Sequence, residues 1–289
     1  MTTVTTGRQK FRAMMKADGI IVAPGIYDGL TAMLVQRAGF SAAYMTGAGT
    51  AAARGYPDYG LITMTEIVGN ADTICGAIDI PLIADADTGY GNELNVTRTI
   101  HEYERTGTAA IHIEDQGFPK KCGHLDDKVI IPLDEYVAKI RAAVAARTDP
   151  DFVIIARTDS RAVSGFEEAV RRSNAALDAG ADIAFLEAPQ SEDELRAVPK
   201  EVRGPCLFNY VEGGKTPTID MKSAEAMGFK LAILPGLLLR NVVATCENIL
   251  ENLHDKDELP PANTGIGIRD IFERVGAEKW DALRNQFTE

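Results

Sequence analysis

Two aspartates stand two residues apart in Ala84-Asp85-Ala86-Asp87, at the end of an apolar run. On an extended strand, residues i and i+2 point to the same face, so both carboxylates would project together. Two such charges repel unless a cation lies between them. Hard oxygen ligands of this kind suit Mg2+ or Mn2+, held through a few carboxylates plus water and substrate oxygens. The same spacing also serves an ion-paired couple or a helix N-cap, and the motif alone leaves these open. A second group lies in Glu114-Asp115-Gln116-Gly117-Phe118-Pro119-Lys120-Lys121-Cys122-Gly123-His124. It starts at the tip of another apolar run and reads as a long polar loop to about Lys128, of the kind that covers a site. Cys122 directly follows two lysines, and neighbouring cations favour thiolate. It is therefore a candidate acid, base or nucleophile, the alternative being an ordinary surface thiol in a basic turn.

Other groups carry weaker signals. Tyr44-Met45-Thr46-Gly47-Ala48-Gly49 runs from a strand into a glycine-bearing turn whose N–H groups could cradle a carboxylate, or could simply make a tight turn. His112, between Ile111 and Ile113, reads as a packed, hydrogen-bonded residue, and His101 as a surface one. Cys75, Cys206 and Cys246 sit in apolar company without a C-x-x-C pair and read as core thiols.

These groups need elements to hold them, and the sequence repeats one unit. A short apolar run ends in a polar tip, and an amphipathic helix follows. The runs are 19–23, 42–46, 81–87, 109–115, 152–159, 183–187, 206–211 and 231–235. Runs that are apolar throughout suit parallel strands buried on both faces. Between them, Leu133, Val137, Ile140 and Val144 keep helical spacing, as do Phe166, Val170, Ser173 and Leu177. Gly39, Gly107, Gly180 and Gly228 stand where helices should stop. Eight such units predict an α/β fold of the (β/α)8 TIM-barrel type, in which chemistry sits at the C-terminal strand ends. There the tips gather Asp85 and Asp87, Glu114, Arg157, Glu187 and Asn209. With no linker or composition break, residues 1–289 read as one domain. A C-terminal extension covers about 262–289, with one extra helix from about Ile268 to Phe287 after Pro260-Pro261.

The 289 residues are 45% hydrophobic and 25% charged, an ordinary globular composition that argues against disorder. The net charge of −12 argues against nucleic acid or an anionic membrane as partner. No apolar stretch approaches the roughly 20 residues that span a bilayer, and Met1 to Arg8 lacks a signal-peptide core. The expected address is the cytoplasm. An anionic substrate would need local cations or a metal.

Taken together, the motifs resemble the isocitrate lyase/phosphoenolpyruvate mutase superfamily over nearly the whole chain. Lys120-Lys121-Cys122-Gly123-His124 is similar to the signature of its carbon–carbon lyases. Asp85-Ala86-Asp87-Thr88-Gly89-Tyr90-Gly91 and His112-Ile113-Glu114-Asp115-Gln116 match two further blocks, in the same order. The resemblance implies a barrel whose last helices swap between subunits, usually in a homotetramer. It implies Mg2+ held by Asp85 and Asp87, directly or through water, with Asp58 and Glu114 in the outer shell. Thr46, Gly47 and Ala48 would bind a 2-oxo acid half, where many relatives carry Ser-Gly-Gly. Arg157 would pair with a substrate carboxylate, Gly123, Glu187 and Asn209 would line the pocket, and Tyr44 would lie near the reacting hydroxyl. Cys122 would protonate the departing enolate, with Lys120 and His124 beside it.

The implied activity is cleavage of a small 2-hydroxy di- or tricarboxylate to pyruvate and a second acid. Glu187-Ala188-Pro189 and Glu212-Gly213-Gly214-Lys215-Thr216-Pro217 resemble the 2,3-dimethylmalate lyase and petal-death-protein branch. Arg240 matches an arginine that methylisocitrate lyases use for another carboxylate. An oxaloacetate hydrolase or a mutase-like enzyme is the alternative, with Pro235 standing where the hydrolases carry Ser. A non-enzymatic carboxylate-binding protein is the third reading.

Overall fold

Each of the eight apolar runs forms a parallel strand: β1 Ile21–Ile26, β2 Ala43–Met45, β3 Leu82–Asp85, β4 Ala110–Glu114, β5 Val153–Thr158, β6 Ile183–Leu186, β7 Leu207–Asn209 and β8 Leu231–Leu234. The computed structural model describes residues 5–123, 127–256 and 265–287. The strands follow one another in order from β1 to β6, β8 pairs with both β1 and β7, and a parallel bridge between Ala184 and Cys206 joins β6 to the start of β7. The result is a closed (β/α)8 barrel.

Alternation along the strands decides what faces the barrel axis. Ile21, Ala23, Tyr44, Ile83, Ile155, Phe185, Leu207 and Ile233 form one buried cluster, and Phe11 of the helix Gly7–Lys16 joins it. Side chains of the opposite parity, such as Met45, Leu82, Ile111 and Ile154, pack outward against the surrounding helices. Each fully buried side chain of this kind contributes about 1.5–3 kcal/mol. Continuing the inward parity to the C-terminal ends brings Asp85, His112, Glu114, Arg157 and Asn209 onto one rim.

The glycines expected to stop helices take positive φ, 86° at Gly107 and 104° at Gly228 among them. Strand β1 runs three residues beyond its expected end, through Pro24 and Gly25. Those residues usually interrupt strands. Here Gly25 is required, because a Cβ would lie 2.4 Å from the Pro235 carbonyl oxygen across the barrel seam.

Two expectations need correction. The extra C-terminal helix is two helices, Ile268–Arg274 and Ala277–Asn285, parted where Gly276 takes φ 84°. A left-handed residue cannot propagate an α-helix. Cys246 is exposed rather than core. It lies on the helix Leu237–Lys256, none of whose residues is buried and whose apolar stripe, including Val242, Val243 and Leu250, stands open. Cys206 is buried, as expected, and burial pushes its thiol up to about 12. Cys75 is half-buried against the core. No helix among the described residues is long and apolar enough to cross a membrane.

Candidate active site

At the C-terminal strand ends lies a cavity of about 150 Å³. That is well below the roughly 300–1,000 Å³ of pockets for drug-sized ligands, and suits a small acid. Ten residues singled out from the sequence line it: Tyr44, Thr46, Ala48, Asp58, Asp85, Cys122, Gly123, Arg157, Glu187 and Asn209. Val211, Pro235, Gly236 and Leu239 close one side with largely apolar surface.

Asp85 is fixed from three directions. Its Oδ1 accepts the Asp87 N–H at 2.9 Å and its Oδ2 the Gly47 N–H at 3.2 Å. Behind it, the Tyr103 hydroxyl donates to the Asp85 carbonyl at 2.6 Å. Gly47 is needed because a Cβ there would lie 2.4 Å from Asp85 Oδ2. The N–H of Gly47 is thus committed to Asp85, and Thr46 caps the helix Gly47–Ala53 by accepting from Gly49. The expected glycine turn is in fact a helix start.

Asp87 reaches the site by a route other than strand alternation. Strand β3 ends at Asp85, and Asp87 takes φ 45°, a left-handed conformation that Asp tolerates better than most residues. Its Oδ1 lies 2.7 Å from Lys120 Nζ, which also donates to Asp58 at 2.5 Å. Burial, with Asp85 and Asp58 nearby, outweighs Lys120 and raises the Asp87 carboxyl to about 6. Burial works against the charge on Lys120, but Asp87, Glu114, Asp58 and Asp85 together hold its pKa well above the usual lysine value.

His112 is packed and hydrogen-bonded, as expected. Its Nε2 lies 2.8 Å from the Tyr44 hydroxyl, and its ring stacks on Tyr44 and meets Phe185 edge-on. Burial lowers its pKa to about 4 and raises that of Tyr44 well above the usual phenol range. Both are therefore neutral near pH 7. Burial opposes the charge on Asp85, but His112, Lys120 and Arg157 hold its carboxyl below the usual range. With His112 neutral, the cations that act near pH 7 are Lys120 and Arg157.

Arg157 is held by carboxylates on three sides. Asp159 binds it through two hydrogen bonds, at 2.9 and 3.2 Å. Glu114 lies 3.2 Å from its Nε, and Glu187 lies 3.9 Å from its Nη2. Its guanidinium also sits 5.0 Å from the Phe185 ring centroid. Glu114 is buried, and neither of its oxygens makes a hydrogen bond to a described residue. Burial raises its pKa well above the ordinary value, against Arg157 and Lys120. Asn209 donates to Glu187 at 3.1 and 3.3 Å, leaving its own Oδ1 buried without a hydrogen bond among the described residues.

The loop after β4 comes down onto this floor. It is pinned at its base by Gly117 N–H to the Val129 carbonyl and Ile131 N–H to the Asp115 carbonyl. The Gln116 side chain clamps Lys121 N–H and carbonyl at 3.0 and 2.8 Å. Cys122 is half-buried and faces the cavity. Gly123 sits so close that a Cβ would lie 2.4 Å from Arg157 Nη2 and 2.5 Å from Glu187 Oε1. His124 lies outside the described residues. Arg240 does not line the main cavity: its Nη1 donates to the Glu212 carbonyl at 2.6 Å and lines a small adjoining cavity that shares Val211 and Gly236.

The family profile described as phosphoenolpyruvate phosphomutase matches residues 11–254. The chain belongs to the phosphoenolpyruvate mutase/isocitrate lyase superfamily. Within the superfamily, it is 48% identical over 227 residues to 2,3-dimethylmalate lyase of Eubacterium barkeri, covering 78% of each chain. It is 44% identical over 275 residues to 2-methylisocitrate lyase of Aeropyrum pernix, covering 94% of this chain and 89% of that one. The structure of an oxaloacetate acetylhydrolase in complex with the inhibitor 3,3-difluorooxalacetate superposes with a TM-score of 0.94 at 39% identity, covering 98% of this chain and 97% of that one.

Sequence reasoning missed two parts of this superfamily site. Lys128 ends the polar loop but is buried, donating to the Gly123 carbonyl and to Asp159. Its type gave no hint, since lysines in polar loops are usually solvated. The apolar wall comes from two stretches, Val211 after β7 and Gly236 with Leu239 after β8, and only the fold brings them together.

Proposed function

We propose that this chain is a Mg2+-dependent lyase that cleaves a C2–C3 bond in a small 2-hydroxy di- or tricarboxylate, of 2,3-dimethylmalate or 2-methylisocitrate type, giving pyruvate and a second acid. The observation that carries the reading is the placement of Cys122 and Gly123 over the Arg157–Glu187 floor, in one cavity with Asp85. The two lyases reported above support it by sequence.

The residues present suit a divalent cation. Among the described residues, Asp58, Asp85, Asp87, Glu114, Asp159 and Glu187 gather about Lys120, Arg157 and Lys128, an acidic excess. Glu114 offers two buried oxygens that lack hydrogen bonds to described residues. Among the described residues no three His, Cys, Asp or Glu side chains form a ready metal cage. Mg2+ suits such a site, because it commonly keeps several waters and takes only one or two carboxylates. Asp85 and Asp87 would hold the cation, with Asp58 and Glu114 receiving its waters; Mn2+ has the same ligand preference. When bound, it would polarise the hydroxyl and carboxylate of the substrate.

The chain's own groups do the rest. Thr46, Ala48 and Arg157 would hold the 2-oxo acid half, and Tyr44, oriented by neutral His112, would stand beside the hydroxyl. As C2 becomes a ketone, its hydroxyl proton passes to the Tyr44 oxygen while Tyr44 hands its own proton to neutral His112, 2.8 Å away. The C2–C3 electron pair passes to the departing half, an enolate-like carboxylate. Cationic Lys120 stabilises that charge, and Cys122 delivers a proton to C3 from its thiol. The loop excludes water meanwhile. Glu187, Asn209 and Gly123 shape the pocket, and Arg240 would serve a further carboxylate if it turned from Glu212.

The deciding experiment is pyruvate release from 2,3-dimethylmalate and 2-methylisocitrate, with Mg2+ and with a chelator, in wild type and Cys122→Ser. We expect metal-dependent release that is lost in the variant while ligand binding persists. Acetate and oxalate from oxaloacetate, with no pyruvate from either hydroxy acid, would instead place the chain with the hydrolases. That second reading has the structural likeness reported above in its favour and the apolar Pro235 against it. Binding without turnover of any of these acids would leave a carboxylate-binding protein.

The chain is further proposed to be one barrel domain with a C-terminal extension, acting in the cytoplasm as a homo-oligomer, a tetramer by family resemblance. The open apolar side chains of Leu237–Lys256 and of the two last helices support association.

A further inference from the structure

Lys128 is a buried lysine, with 1% of its side chain exposed. Burying an ammonium costs several kcal/mol unless it is paired and hydrogen-bonded. Here the compensation is specific. The Nζ donates to the carbonyl of Gly123 and lies 2.9 Å from Asp159 Oδ1. Asp159 is itself fully buried and also accepts from Arg157, through Oδ2 at 2.9 Å and through Oδ1, the oxygen shared with Lys128, at 3.2 Å. One carboxylate therefore joins two cations: Arg157, which faces the cavity, and Lys128, which holds the loop. Just before Lys128 the backbone turns at Asp127, with φ 59°, a conformation uncommon outside glycine.

From this we infer that Lys128 is the positioning residue for Cys122: its ammonium ties the Gly123 carbonyl to Asp159 and so sets the height of the thiol above Arg157 and Glu187. Lys128 does not line the cavity, so it acts through the loop and not on the substrate. The role in turnover rests on the lyase reading above. The hold on the loop does not.

The test is Lys128→Met, which keeps an unbranched apolar stem and removes the ammonium. Two readouts are taken on the full chain. One is the rate of Cys122 alkylation by iodoacetamide, followed by peptide mass mapping with exposed Cys246 as internal reference. The other is kcat and KM for pyruvate release. We expect Cys122 to label several-fold faster at an unchanged Cys246 rate. We also expect kcat to fall about 100-fold with KM little altered, the usual consequence of misplacing a reacting group by about 1 Å. Lys128→Gln, which keeps a donor for the Gly123 carbonyl, should recover part of both.

Unchanged Cys122 labelling and kcat, with only a lowered Tm, would overturn the inference and leave Lys128 a buried ion pair of the fold. If Lys128→Met does not fold, Lys128→Gln is judged by the same two rates. A wild type that turns over neither hydroxy acid removes the lyase reading alone, since faster Cys122 labelling would still establish the hold on the loop.

Discussion

Replacing Gly123 by Ala tests how tightly the loop must seat. The added Cβ would stand 2.4 Å from Arg157 Nη2, whereas ordinary contact begins near 3.4 Å. Neither neighbour can yield the missing ångström cheaply. Arg157 is gripped by the two hydrogen bonds it donates to Asp159, and Glu187 is held by Asn209. The loop must therefore rise by about 1 Å, carrying Cys122 with it. A displacement of that size costs roughly 100-fold in rate, or about 2.7 kcal/mol in activation free energy. Gly123 is not among the residues with positive φ, so alanine adds no backbone strain, and the effect is purely one of space. The assay is pyruvate release coupled to lactate dehydrogenase, with thermal unfolding run alongside. We expect kcat to fall about 100-fold while Tm stays close to wild type. The control is Gly69→Ala, in the middle of the helix Met64–Ala77, where a Cβ would meet nothing within 4 Å. It should gain about 0.5–1 kcal/mol of stability and leave kcat unchanged. A Gly123→Ala enzyme with kcat close to wild type would refute the reasoning, because the loop would then have slack that the distances deny.

Two further perturbations probe the supports of the site. Gly47→Ala places a Cβ 2.4 Å from Asp85 Oδ2 and removes room for that carboxylate; the Mg2+ concentration needed for half-maximal activity should rise about 10- to 100-fold, as for other disturbed supports of metal ligands. Asp115→Ala deletes the acceptor for the Thr158 hydroxyl, the Asp159 N–H and Arg172. Stability in urea should fall by about 3 kcal/mol, because a buried guanidinium loses one of its carboxylates; a loss near zero would show that Glu168 and the Ile131 carbonyl, which also accept from Arg172, satisfy it without Asp115.

Much of the fold was legible because its signals are local. A strand buried on both faces has to be apolar throughout, so runs such as Ile183 to Leu186 stand out without knowledge of their partners. A helix that ends at Gly107 or Gly228 needs a residue that tolerates positive φ. The rim was legible for a related reason: polar groups closing apolar strands all meet at one end of a barrel, which is how Asp85, Glu114, Arg157, Glu187 and Asn209 could be grouped before their distances were known.

What only the tertiary structure decided depends on contacts between distant parts of the chain. Strand alternation does not account for Asp87, since β3 ends at Asp85 and a left-handed turn after it brings the Asp87 carboxylate to Lys120. The side to which Arg240 turns follows from the nearness of Glu212, 28 residues away in sequence. The burial of Lys128 depends on Asp159, which only the packing of the loop against β5 provides. Cys246 and the split terminal helix mark the converse limit: an apolar stripe shows that a surface wants cover, and a helical period shows a tendency to coil. Neither states whether the cover comes from the same chain, or where a single glycine will break the coil. Sequence by itself determines secondary structure and the chemical types on the rim, because periodicity and side-chain chemistry act over a few residues. Which charge neutralises which, and which side chain is sealed from water, are long-range electrostatic and packing outcomes that exist only once the barrel has closed.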